Sequence, residues 1–359
     1  MKLGLGLYRH ALKPENYRFA KQAGATHLVV HLVDYYNKGT LPAETLEGAS
    51  WGVSSPHVWT LDELAQLKAD IEAEGMKLEA LENFEPAVWH DVLLDGPKRD
   101  EQIENIKTII RRMGDVGIPI MGYAFSIMNV WGWSKGPWAR GGAVATGWVR
   151  ELAPPETPIP NGQVWNMIYD PEAPPGFQPE VSTEEIRSRH KRFLQEVLPV
   201  AEQAGVKLAL HPADPPLPVL RGTARLVTRP ELYQEVIDSV PSRSNALEFC
   251  IGTLSEMVSD AMDVYEATET YSRQGKIGYV HFRNVRGKVP SYHEVFVDEG
   301  DTDMTRILEI LYRNGYDGVI IPDHVPEMSC PAPWHAGMAH ALGWMKAAIT
   351  MIERYADRP

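Results

Sequence analysis

Four side chains suited to holding a transition metal, His211, Cys250, His281 and Asp323, sit at or near the ends of four short apolar runs, KLALH, ALEFC, GYVHF and VIIPD. Two imidazoles, a thiolate and a carboxylate form a complete ligand set for a divalent ion. The mixture of nitrogen, sulfur and oxygen disfavours Mg2+ and Ca2+, which take oxygen ligands, and admits Mn2+, Fe2+, Co2+ or Zn2+. Taken singly, an inward histidine is more often a hydrogen-bonded core residue and a buried cysteine a small hydrophobe. Four such residues in corresponding positions of one repeating pattern point to a metal site.

The repeating pattern is what places them. Strand-like runs at 3–8, 27–32, 77–81, 118–125, 207–211, 246–250, 277–282 and 319–323 alternate with longer segments of helical period. Eight such units predict an α/β chain folded as a (β/α)8 TIM barrel, whose chemistry lies at the carboxyl ends of the strands. Helical segments open with acidic or Ser/Thr residues, and five end at a glycine just before the next strand: Gly75, Gly117, Gly205, Gly275 and Gly315. Residues two apart in a strand share a face. Ala209, Glu248, Tyr279 and Ile321 therefore accompany the four ligands inward, while Leu208, Leu247, Phe249 and Val280 face the helices.

A chain of 359 residues with 44% apolar content exceeds what a bare barrel requires. The expectation is a single domain over 1–359 with its main insertion at 126–181, after strand four. That insertion holds Trp131, Trp133, Trp138, Trp148 and Trp165, half of the ten tryptophans, and nine prolines. It reads as a lid, or as a satellite core or oligomer contact, since its aromatic content opposes disorder. The formal charge of -13 argues against nucleic acid or an anionic membrane as partner and favours a small soluble substrate. Two cysteines make no disulfide framework, no apolar run is long enough to span a bilayer, and the opening MKLGLGLYRH lacks a signal-peptide core. A cytoplasmic homo-oligomer is expected.

Further groups surround the ligands. Arg283, two residues beyond His281, is suited to gripping a carboxylate bidentately. Asp214, in the rigid run HPADPP, is placed to orient His211 or contact hydroxyls, and Tyr292, His293 and Glu294 lie in the seventh loop within reach. Tyr123, within strand four, and Trp131, in the insertion, are expected to line the substrate site. His324 follows the last ligand; if the strand ends there, the chain turns and aims both residues at substrate, giving a proton acceptor at neutral pH. His335, at the start of the last helix, is the second acid/base candidate.

The segments HPADPP, LEFCIGTLSE, VHFRNVRG, YHEVFVDEGDTDM, YDGVIIPDH and HALG, in this order and spacing, resemble the mannonate dehydratase family of xylose isomerase-like barrels. The likeness also takes in PKRDEQIENIKTIIRRMGDVGIPIMGYAF and is weak in the first fifty residues and the insertion. It implies dehydration of D-mannonate to 2-keto-3-deoxy-D-gluconate, a Mn2+-type ion on His211, Cys250, His281 and Asp323, and an acid/base role for His324. Two departures stand out. The family's second acid/base tyrosine aligns with His335, beside Trp334 in place of glycine, and the run YAFSIMNVWGWSKG lacks the Asp and Arg that the family carries after strand four. A metal-dependent sugar isomerase or epimerase, or a non-catalytic sugar-acid-binding protein, are the other functions compatible with this barrel.

Overall fold

In the computed structural model, which describes residues 1–39 and 51–355, the eight strands close into one parallel barrel. Residues 40–50 and 356–359, within the 1–359 span, lie outside the described residues. The strands are β1 (Lys2–Leu7), β2 (His27–Val30), β3 (Lys77–Glu82), β4 (Ile120–Tyr123), β5 (Lys207–Leu210), β6 (Asn245–Cys250), β7 (Ile277–His281) and β8 (Val319–Ile321). Each pairs in parallel with the next, and β8 closes onto β1. Among the described residues no helix is long and apolar enough to cross a membrane.

The local signals act as the chemistry requires. Capping boxes at Thr60 with Glu63 and Ser182 with Glu185 start the helices Leu61–Ala73 and Thr183–Ala204. The five glycines before strands all adopt positive φ, between 66° and 78°, the left-handed conformation that ends a helix without a Cβ clash.

Strand alternation divides the apolar residues into two cores. Val29, Ala80, Ile120, Ala209, Ala246, Tyr279, Val319 and Ile321 fill the barrel interior. Residues of the opposite parity, Leu208, Leu247, Phe249 and Val280 among them, pack against the helices in a larger cluster. Gly122 is inward-facing, and a Cβ there would strike the Tyr279 hydroxyl and the Glu248 carboxylate. The glycine makes room for the polar floor of the site.

The 126–181 insertion is fastened to the barrel mouth by two small sheets. Its hairpin, Ser134–Ala139 and Ala143–Val149, pairs with Ser291–Val295, which in turn pairs with Asn284–Lys288 after β7. Further on, Gln163–Val164 pairs with Met167–Ile168, which pairs in turn with Gly52–Val53 after β2.

Tyr123 corrects one expectation. It closes β4 with outward parity, and its hydroxyl is hydrogen-bonded with His190 Nε2 at 2.9 Å, among Phe193 and the outer core. Leu210, its register partner on β5, points the same way. Tyr123→Phe should leave kcat and KM unchanged and lower stability by about 1 kcal/mol through loss of one buried hydrogen bond, as measured by denaturant unfolding.

Candidate metal centre and active site

The carboxyl ends of the strands open into a cavity of about 500 Å³, a size suited to a small molecule. His211 follows β5 directly, Cys250 ends β6 and His281 ends β7, and their ligand atoms lie within 4.8 Å of one another. Cys250 and His281 are register partners on adjacent strands. Each imidazole is held in the tautomer a metal needs. His211 Nδ1 lies 2.7 Å from the Pro212 carbonyl oxygen, which only accepts, so Nδ1 carries the proton and Nε2 keeps its lone pair. His281 is held the other way round. Its Nε2 donates toward Glu82 at 3.2 Å, with Glu248 3.3 Å away, and its buried Nδ1 has no hydrogen-bond partner.

Burial alone would keep the Cys250 thiol neutral. The Arg283 charge, with the His211 and His281 imidazoles beside the sulfur, outweighs it and holds the thiol down at about 5, so Cys250 is a thiolate at neutral pH. His281 shifts the opposite way: against burial, Asp323 and Glu82 hold it well above the ordinary range. A cation at Nδ1 would take the place of that proton. The orphaned Nδ1, the freed Nε2 of His211 and the thiolate together fit a transition metal.

Asp323 reaches this cluster by a turn. β8 ends at Ile321, the register partner of His281, and Asp323 sits two residues further with φ of 60°, unusual for a non-glycine residue. Its Oδ2 comes within 3.4 Å of His281 Nδ1, although the mutually close trio does not include it. The same turn carries His324 into the cavity, where continued alternation would have sent it outward. There His324 Nδ1 donates to Glu294 Oε1 at 2.8 Å, and Nε2 lies 3.4 Å from the Tyr8 hydroxyl. Burial opposes charge on this imidazole, but Asp323 and Glu294 raise it to about 9.

Arg283 stands differently from the substrate clamp expected. Its Nε donates to Asp323 at 3.0 Å, Nη1 to Glu256 at 2.5 Å, and Nη2 to Asp214 and to Thr253 at 2.9 Å. Its donors are turned to the protein, and Gly252 leaves the space the guanidinium fills. Asp214 lines the cavity but is also committed, taking Tyr292 Oη–H at 2.7 Å and Thr253 Oγ1–H at 3.0 Å. These residues brace the site. Arg286 and Lys288 turn away to the Glu299 and Met257 carbonyls.

Three further candidates are elsewhere. His335 donates from Nε2 to Asn16 at 3.0 Å and packs against Phe19 and Trp334; Trp334, not His335, lines the cavity. His293 lies on the outer face of its hairpin strand against Trp138, because Tyr292 and Glu294 take the inward parity. Trp131 is buried beneath an Arg221 guanidinium and away from the cavity. Of the five insertion tryptophans only Trp133 lines the cavity, with its edge against His324. Two residues of this arrangement escaped the sequence reading. Glu82 shares the inward parity of Ala80 one residue past the expected end of its strand, the same rule that found Glu248. Tyr8 ends the first strand-like run, beside a β8 whose neighbour only barrel closure reveals. Against burial, His31 and His281 hold the Glu82 carboxyl at about 2. Burial first and then Glu82 raise Glu248 well above the carboxylate range.

Comparison with known proteins shows the family and the fold. The family model described as D-mannonate dehydratase (UxuA) matches residues 21–148 and 177–346. A mannonate dehydratase of Lactococcus lactis subsp. cremoris (strain MG1363) is 30% identical over 301 residues, 77% of this chain and 81% of the relative. That of Geobacillus thermodenitrificans (strain NG80-2) is 27% identical over 307 residues, 78% and 79% of the two chains. Among solved structures, mannonate dehydratase from Streptococcus suis serotype 2 superposes with a TM-score of 0.77 at 23% identity, over 100% of this chain and 95% of that one. An L-ribulose 3-epimerase shares the fold more distantly, with a TM-score of 0.57 at 16% identity over 99% and 97%. With the family model covering both halves of the barrel and the gap falling in the insertion, this chain belongs to the D-mannonate dehydratase family and is a hydro-lyase.

Proposed function

We propose that this protein removes water from D-mannonate to give 2-keto-3-deoxy-D-gluconate, with Mn2+ held by His211, Cys250, His281 and Asp323. The observation that carries this reading is His324, whose Nδ1–H is fixed on Glu294 so that Nε2 faces the cavity 3.6 Å from Asp323, which itself reaches to 3.4 Å from His281 in the cluster of His211, Cys250 and His281. A thiolate ligand needs reduced sulfur, which fits a cytoplasmic setting.

Elimination from a 2,3-dihydroxy acid begins with a very weakly acidic C2 proton. When bound, the divalent ion supplies positive charge to the substrate carboxylate and to the enolate-like charge that develops. Arg283 contributes indirectly: with its donors taken, it fixes Asp323 from one side while Glu256 and Asp214 fix it from the other. His324 Nε2 accepts the C2 proton, and Glu294 stabilises the imidazolium that results. Trp51, Trp133 and Trp334 wall the cavity and exclude water from the reacting carbons.

With Mn2+ restored and D-mannonate supplied, the expected product is a keto-deoxy acid one water lighter than substrate, detected as its semicarbazone. A product of unchanged mass would instead identify an isomerase or epimerase. Cys250→Ala and His281→Ala should lose metal and activity together, whereas His324→Asn should keep its metal, by elemental analysis, and lose roughly 10²–10⁴-fold in kcat. Metal retained by the first two variants would overturn the ligand assignment.

The pH profile follows from the environment of His324. The base must be neutral, so kcat/KM at saturating metal should rise with pH along a limb at or below about 9, because a cation at Asp323 weakens the larger attraction holding the proton. Glu294→Gln removes the other attraction, and the limb should move to lower pH. A limb that stays in place would separate Glu294 from the base.

A further inference from the structure

Elimination of water needs a second proton-handling group, because hydroxide is a poor leaving group unless it is protonated as it departs. His335 faces Asn16 and Phe19, outside the cavity. Among the titratable side chains that do line it, His211, His281 and Asp323 belong to the proposed metal cluster, Glu82 and Glu248 lie on the floor against His281 Nε2, His31 faces Glu82 at 3.5 Å, and Tyr36 is exposed. Asp214 and Arg283 are tied to each other, Lys135 pairs with Glu327 at 2.7 Å, and Tyr35 takes a hydrogen bond from Asn83 at 2.9 Å. One hydroxyl stands directly beside the base.

We infer that Tyr8 donates the proton to the departing C3 hydroxide, in the place that the alignment assigns to His335; the inference rests on the dehydratase reading above. Barrel closure creates the juxtaposition. β8 pairs with β1, so the residues that leave these two strands, His324 and Tyr8, emerge as neighbours, with Tyr8 Oη 3.4 Å from His324 Nε2. The phenol ring is fixed from below by His31, which leaves β2 with its amide on the Leu7 carbonyl and stacks on Tyr8 at 4.4 Å between centroids and 21° between planes. Burial, with Asp323 nearby, keeps the phenol protonated at neutral pH. The hydroxyl thus arrives as an acid beside a base.

The proton balance closes within the pair. His324 Nε2 takes the C2 proton, and the C–H electrons form the C2=C3 bond. The C3–O bond breaks with its electron pair on oxygen, which takes the Tyr8 proton and leaves as water. The enol gains a proton at C3 and loses its hydroxyl proton to give the 2-keto acid. Imidazolium Nε2–H then returns a proton to the Tyr8 phenolate across the 3.4 Å contact, and both groups are restored. The proton removed from C2 so replaces the one that left in water.

Tyr8→Phe keeps the ring on His31 and removes only the hydroxyl. In the Mn2+-loaded protein incubated with D-mannonate in D2O, this variant should retain metal content and KM and lose roughly 10²–10⁴-fold in kcat for water loss. It should still exchange deuterium into C2 of recovered substrate, because His324 is intact. His335→Phe should dehydrate at close to the wild-type rate. Dehydration by Tyr8→Phe within about threefold of wild type, well below a donor's usual contribution, would overturn the assignment. So would loss of C2 exchange together with dehydration, which would make Tyr8 part of the abstraction step. Wild-type protein that leaves D-mannonate unchanged would sink the dehydratase reading, and the donor role with it; turnover by wild type and Tyr8→Phe alike would sink the donor role alone.

Discussion

A guanidinium with only 1% of its side chain exposed must be paired, and the four carboxylates that pair Arg283 set the geometry of everything above the barrel floor. Asp214, Glu256 and Asp323 each take one of its donors, and Glu294 lies 3.6 Å away. Removing one partner from such a cluster typically costs about 3–5 kcal/mol, since the remaining charges stay buried. The surplus negative charge has a use. Four acids around one guanidinium leave Asp323 free to face a metal and Glu294 free to hold His324, so one buried cation positions both halves of the chemistry. Its pull also contributes to keeping Cys250 a thiolate.

The floor of the site applies the same logic with a different pair. Glu82 and Glu248 both approach His281 Nε2, yet two adjacent buried carboxylates cannot both ionise cheaply. Glu82, drawn down by His31 and His281, takes the charge, and Glu248 stays protonated. One net negative charge behind His281 orients its ring and turns Nδ1 toward the thiolate. Gly122 is required here because any larger residue would fill the space that Glu248 and Tyr279 occupy.

The barrel was legible because its signals are local. Alternating apolar runs and glycines after helices place all eight strands, and the parity rule separates inner from outer residues correctly on β5 to β8. Where backbone departed from regular strand, parity stopped being a guide. Asp323 and His324 both reach the cavity only because Asp323 adopts positive φ, and whether the strand ended there was left open by the sequence. Tyr123 lies toward the carboxyl end of its strand, but its parity turns it outward like Leu210. Arg283 was identified as a site residue, but its role depends on Glu256 and Glu294, which converge on it from separate loops and cannot be paired with it by spacing. The insertion gave away its aromatic content but not its partners, since pairing between Ala143–Val149 and Ser291–Val295 joins segments some 150 residues apart.

The departure at position 335 and the proposed metal set are compatible because a barrel offers several ways to deliver a proton to one point. The ion's ligands must match a fixed coordination geometry, which confines them to particular strand ends. A proton donor needs only reach and a protonated state, and any of the eight strand ends that surround the cavity can supply it. In this chain the last helix brings Trp334 rather than its neighbour to the cavity wall, while β1, the partner of β8, is followed directly by a tyrosine facing His324. Metal ligation is therefore the more constrained part of the site, and the second proton-transfer position the freer one.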